Sequence, residues 1–469
     1  MRLSRRLWPR FWSSSARYTP IATSSSPRNS GLPLSYDKRR CTQPRRLIVQ
    51  RTIYACAAIL TLLSLGVLSS GIPPSYSNIW HYEKLLPQHN LTEALVQNRR
   101  YLRIPNRVTG HGLNNVLQES VLLSYLAYRT QRALVFEDYT WSHSLSPYVI
   151  YDFSLRPSRL PLNAFISGPS AGGAVPPGSE RAVNAAFWES ICPAESRHTI
   201  SSADQPKYAE GNVLFDWWMS QLGATQERCV EIDSRSQPVF DHNLFGGPQI
   251  LSLWEGFSKS PILADFAWSR LVESALNRNL PIIQPGVRKY LSQDGVLPST
   301  FSNLVAVHIR RGDFKRHCYR MVGWSANYMG FNRFPQFLDT FNSSFDEDQH
   351  ARIQYYLQHC LPSVEQIVEK LRIVRRANPH LKEVYVLTNG WRWWLNGLKA
   401  ALLEDGWDDM KSSLDLTFDP EQKHVAMAVD MAIAEKAEVF IGNGFSSLTS
   451  NIMMLRVSKD VDPSTNRLL

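Results

Sequence analysis

Three short apolar runs, residues 304–309, 383–388 and 437–442, are separated by stretches of helical periodicity such as VEQIVEKLRIVRRA and KHVAMAVDMAIAEKA. Strands of this kind, too short for buried helices and alternating with helices, predict a parallel sheet joined by right-handed crossovers. An earlier unit repeats the pattern: a turn at 110–115, the helical run VLQESVLLSYLAYRTQ, then a strand at 133–136. With 469 residues the chain exceeds one ordinary core and suits two domains of about 150–200 residues each. A Pro- and Gly-punctuated stretch at 283–300 marks the join, so the expected α/β domains are residues 101–295 and 296–469. Residues 167–180 (SGPSAGGAVPPGSE) have no periodicity and predict a surface loop.

The net charge of +10 suggests nucleic acid until its position is considered. Twelve of the 51 Lys and Arg, against the single acid Asp37, lie in residues 1–51, which leaves 39 basic and 40 acidic residues in the remainder. The folded part is near neutral, which excludes a charge-driven nucleic-acid partner. Residues 53–72 are uncharged and long enough to cross a bilayer core of roughly 30 Å, with a basic flank before them and Pro73 and Pro74 after. The expectation is a disordered basic cytosolic tail (1–52), one transmembrane helix (53–72) and a stem (73–100), in type II orientation by the positive-inside rule. This places the protein in the Golgi or endoplasmic reticulum. The Arg- and Ser-rich start also reads as a mitochondrial transit peptide, opposed by the sequons at Asn90 and Asn342. Cys192, Cys229, Cys318 and Cys360 follow the apolar stretch, an even number suited to an oxidising compartment. Sequence distance predicts pairing of nearest neighbours, Cys192 with Cys229 and Cys318 with Cys360, and no spacing suggests a metal site.

In parallel sheets ligands bind outside the carboxyl ends of the strands, so the loops after His308, Thr388 and Gly442 should converge on one crevice. VAVHIRRGDF (305–314) sets His308, Arg310, Arg311 and Asp313 at such a strand end. Guanidinium forks bind phosphate bidentately, and the expected division is Arg310 on a diphosphate, with Arg311 paired to Asp313 to brace the loop. FIGNGFSSLTSNIMMLR (440–456) runs from strand to helix through a Gly/Ser turn, where Ser446 or Ser447 caps a helix whose amino end suits an anion. RVTGHGLNN (107–115) places His111, Asn114 and Asn115 around glycines that admit close backbone approach. The Asp-x-Asp triplet Asp460-Val461-Asp462 sits in what reads as a solvated tail. Trp391, Trp393 and Trp394 read as packing a helix against the sheet rather than stacking on sugars.

Together GHGLNN, HIRRGDF and VDMAIAEKAEVFIGNGFSSLTSNI, in this order, resemble the GDP-fucose protein O-fucosyltransferase family over about residues 100–456. The resemblance implies a GT-B fold, two Rossmann-like domains facing across a cleft, and inverting transfer from GDP-fucose to a protein or glycan hydroxyl without metal or other cofactor. It implies that Arg310 supports the departing diphosphate, that Asp430, Ser446 and Ser447 hold the nucleotide and its phosphates, and that Asn114 serves from the Gly-rich loop. His308 and Arg311 complete the expected donor set. Some members carry a Glu between the two glycines as the base; His111 stands there in this chain, and either deprotonates the acceptor or lines its groove. Alternatives at this stage are another GDP-sugar as donor, or a non-catalytic lumenal lectin or scaffold on the same fold.

Overall fold

The structure, a computed structural model, describes residues 43–69, 71–106, 112–151, 154–285, 298–344 and 348–469. The fold is α/β and is built on two parallel five-stranded sheets. The first orders its strands Val183–Asn184, Ala133–Phe136, Tyr101–Arg103, Cys229–Ile232, His198–Ile200. The second runs Asp409–Ser412, Glu383–Thr388, Phe301–Ile309, Ala437–Gly442, Asn466–Leu468. Buried Val, Leu, Ile and Tyr fill the three central strands of this sheet, which read in the sequence as unbroken apolar runs because helices cover both faces.

The two outer strands of the second sheet did not announce themselves. Asp409–Ser412 (DMKS) is polar at three of its four positions, and Asn466–Leu468 belongs to the segment expected as a solvated tail. Asp462 there caps a short turn by accepting from the Ser464 amide at 2.9 Å, and the strand that follows pairs with Ala437–Gly442. Residues 167–180 also differ from expectation. Pro169, Ser170, Ala171 and Gly172 are buried, and the Gln88 amide donates to the carbonyls of Gly172 and Ala182 at 3.1 and 2.6 Å. Gln88 lies in the expected stem, which is folded rather than extended. Its helix Ser77–Lys84 carries Glu83, buried and accepting from Asn163, and Trp80, whose indole donates to Asp138.

Helix Gln43–Ser69 takes in the last ten residues of the expected tail and ends before residue 72. Its window Ile48–Val67 is, among the described residues, the one helix long and apolar enough to cross a membrane. Residues 1–42 and the expected domain boundary at 295/296 lie outside the described residues.

Both disulfides pair as sequence distance predicts, Cys192–Cys229 and Cys318–Cys360. The second joins helix Phe314–Gly323, which follows the HIRRGD loop, to the end of helix Gln349–Cys360. It closes a chain separation of 42 residues, so removing it through Cys318→Ser with Cys360→Ser should cost about 4 kcal/mol by loop entropy. Urea unfolding of the double variant checks this, and a loss below about 1 kcal/mol would show that the crosslink does little.

Candidate active site

Numbered along the chain, the strands of the second sheet lie in the order 3-2-1-4-5. Phe301–Ile309 and Ala437–Gly442 are neighbours in register, Val307 beside Ile441, yet the chain leaves them toward opposite sides of the sheet. Such a switch point opens a crevice beyond the carboxyl ends of the two strands. The loops that rim it are 310–313 and 443–446, the two motifs with a Gly turn and polar groups. Thr388 ends level with Ile309 on the other side, so its following residue, Asn389, reaches the same edge.

Asn389 laces the first loop. Its carbonyl accepts from the Arg311 amide at 2.8 Å, while its own N–H groups donate to the Arg311 carbonyl at 3.2 Å and the Asp313 carboxylate at 3.1 Å. Gly312 holds φ +61 within that loop, a left-handed turn that a Cβ would strain. The Asp313 partner differs from the one read from sequence. Arg310, not Arg311, pairs with Asp313, at 3.0 Å, and its guanidinium lies 4.9 Å from the Phe314 ring. Arg311 turns inward, donating to the Pro362 carbonyl at 2.5 Å and stacking 4.2 Å over Trp394, and burial lowers its guanidinium to about 10. Arg311 therefore positions the loop, whereas the Arg310 side chain is 42% exposed and its one ion pair among the described residues is with a carboxylate that is itself 66% exposed. Of the three tryptophans, only Trp394 packs against the sheet; Trp391 and Trp393 are 64% and 69% exposed.

The second loop is fixed by its neighbours. The Asn443 amide donates to the Cys360 carbonyl at 2.7 Å, beside the disulfide. Gly444 meets the Tyr328 ring so closely that a Cβ would come within 2.2 Å of it, and its carbonyl accepts from the Met329 amide and from Asn332. Ser446 is the N-cap of helix Ser447–Ser458, accepting from the Leu448 amide at 3.3 Å. The helix then faces the first loop's strand: Thr449 meets His308 Nδ1 at 2.9 Å.

His308 is buried, and burial first, then the positive Arg310, hold its imidazole down to about 3. An unfolded chain would take up the proton near pH 6.5, so this group's contribution to stability is full above that pH and is lost as pH falls toward 3. His308→Gln should flatten the fall of unfolding free energy across that window, read from denaturant midpoints at each pH; equal slopes would contradict the assignment. Asp430 shows the opposite shift. Burial raises its carboxyl to about 7, opposed by hydroxyl donors from Tyr385 at 2.5 Å and Ser413 at 2.8 Å.

Asn114 connects the two sheets' helices. Its carbonyl accepts from the Asn451 amide on helix Ser447–Ser458 at 2.7 Å, and its own amide donates to Met427 Sδ at 3.0 Å. His111 lies outside the described residues. Sequence reasoning missed Asn389, Tyr385, Ser413 and Asn451, the partners that orient the expected residues. Only Asn389 carried a signal, as the start of an Asn-Gly turn directly after a buried strand.

Residues 270–458 match the family model described as GDP-fucose protein O-fucosyltransferase. No curated protein sequence matches the chain. Among solved structures it is similar to POFUT1 in complex with GDP-fucose, at 15% identity and TM-score 0.45, over 76% of this chain and 94% of that one. It is also similar to a point mutant of Arabidopsis thaliana FUT1 in complex with GDP, at 12% identity and TM-score 0.35, over 82% of this chain and 78% of that one. A third is NodZ alpha-1,6-fucosyltransferase soaked with GDP-fucose, at 12% identity and TM-score 0.34, over 76% of this chain and 93% of that one. The family match, 189 of the 469 residues, runs from helix Arg270–Ile283 through the sheet edge of Arg310 and Ser446 to the end of helix Ser447–Ser458.

Proposed function

We propose that the protein transfers fucose from GDP-fucose to a hydroxyl of a protein or glycan acceptor by a single inverting displacement that needs no metal ion. The scaffold is GT-B, residues 101–295 serving the acceptor and 296–469 the donor. The observation that carries this reading is the switch point between Phe301–Ile309 and Ala437–Gly442, which sets Arg310 and the Ser446–Ser447 turn on one edge of one sheet. The donor diphosphate fits between a half-exposed guanidinium and the amino end of a 12-residue helix, both favouring negative charge. Asp430 and His308 address the nucleotide, with His308 a neutral imidazole at physiological pH.

In the reaction the acceptor oxygen bonds to the anomeric carbon of fucose as the bond from that carbon to the diphosphate breaks. The bonding electron pair leaves with GDP, where Arg310 offsets the added charge. The acceptor proton passes to a base, for which His111 is the proposed residue. Two disulfides within the folded body and the helix Gln43–Ser69 support a type II protein of the Golgi or endoplasmic reticulum with its body in the lumen.

Thermal unfolding of the full chain in detergent, with GDP and with EDTA present, tests the donor reading. GDP is expected to raise the midpoint regardless of EDTA, and GDP-fucose to release GDP when acceptor is present. Indifference to GDP would remove the donor site, and a midpoint shift abolished by EDTA would remove metal independence.

A further inference from the structure

A cavity of about 230 Å³ is walled on one side by Leu113, Tyr139, Trp141 and Arg156 and on the other by Lys423 and His424. It adjoins the proposed site without being lined by Arg310, Ser446 or Ser447. Leu113 directly precedes Asn114, and Met427, which receives the Asn114 amide, is also in the wall. Asp430 follows one turn along the same helix, Ala426–Lys436.

The cavity's charge is one-sided. No Asp or Glu is among its described lining residues. Arg156 rests against aromatic rings, 5.4 Å from Trp141 and 4.8 Å from Tyr151, and among the described residues no carboxylate pairs with it or with Lys423. Of the acids just before Lys423, Asp419 is already engaged, pairing with Arg278 at 3.2 Å. His424 records the resulting field, since burial first, then Lys423 and Arg156, hold its imidazole down to about 4. A volume below the roughly 300 Å³ at which drug-sized pockets begin suits a single ring. The aromatic wall offers flat apolar faces to the ring, and the two cations call for an anionic group on it.

We propose that this cavity receives a uronic-acid residue of a glycan acceptor, its carboxylate between Arg156 and Lys423 and its pyranose ring against Trp141 and Tyr139. The proposal rests on the transferase reading above and narrows its acceptor to a carboxylated glycan.

The test measures GDP release from GDP-fucose by the full chain, with oligomers of glucuronic or galacturonic acid, neutral hexose oligomers of equal length, or Ser/Thr peptides. The acidic oligomers should give a kcat/KM at least tenfold above the neutral ones. Arg156→Gln and Lys423→Gln should each raise acceptor KM about tenfold, with the GDP-induced thermal shift kept, and Arg156→Lys should recover part of the loss. Equal or better turnover with neutral oligomers or peptides, or unchanged acceptor KM in both variants, overturns the proposal. Should no GDP release occur with any acceptor, the transferase reading fails, and saturation-transfer NMR of the uronate oligomers against the full chain decides this one separately. Binding that Arg156→Gln abolishes sustains it; absence of binding overturns it.

Discussion

Arg310→Lys is expected to lower kcat for fucosyl transfer about 10²–10³-fold, the usual effect of removing one aligned donor from the site of developing charge. The lysine keeps the positive charge and the strand-end position, so GDP should still stabilise the variant. What it loses is the planar fork that can hold two diphosphate oxygens at once. Arg310 is free to make that contact because Asp313, its one ionic partner among the described residues, is on the surface, where a pair contributes little and exchanges readily. Arg311→Lys makes the contrast. Its guanidinium is held by Pro362 and Trp394, so replacement should loosen the loop, raise donor KM and lower the thermal midpoint together. If Arg310→Lys turns over at the wild-type rate while Arg311→Lys does not, the two assignments are reversed.

Arg456→Met is expected to cost at least about 3 kcal/mol of stability and to lower sharply the yield of folded protein. This arginine is fully buried near the end of the matched region. Its guanidinium donates to the carbonyls of Ala434, Glu435, Ala437 and Glu438, to the Asn466 side-chain carbonyl and to the Thr465 hydroxyl. One side chain thereby ties the end of the helix that carries Asp430, the start of strand Ala437–Gly442 and the last strand of the sheet. Methionine fills similar volume but leaves several buried carbonyls without donors, each costing about 1–3 kcal/mol. Chemical denaturation and the yield of folded protein report the outcome. A variant obtained in normal yield that loses less than about 1 kcal/mol would show that water satisfies those carbonyls instead.

The three central strands of the second sheet were legible because burial on both faces demands unbroken apolar runs, and two of them, Glu383–Thr388 and Ala437–Gly442, have the bounds the sequence predicts. The disulfide partners were legible because short chain separations between cysteines favour closure. Arg310 was visible as charge at the tip of a buried strand. The edge strands were not, since DMKS and NRL gain their order from pairing with a neighbour rather than from their own apolar content.

The sequence by itself determined an α/β chain with its polar motifs at strand ends. It did not separate Arg310 from Arg311, two adjacent residues of identical chemistry. That choice belongs to Trp394 and the Pro362 carbonyl, 83 and 51 positions away, which claim one guanidinium and leave the other to solvent. Likewise the raised carboxyl of Asp430 and the neutral His308 follow from burial, which exists only once the helices close over the sheet. Local sequence sets which groups are present at the edge, whereas long-range packing sets which of them remain free to act.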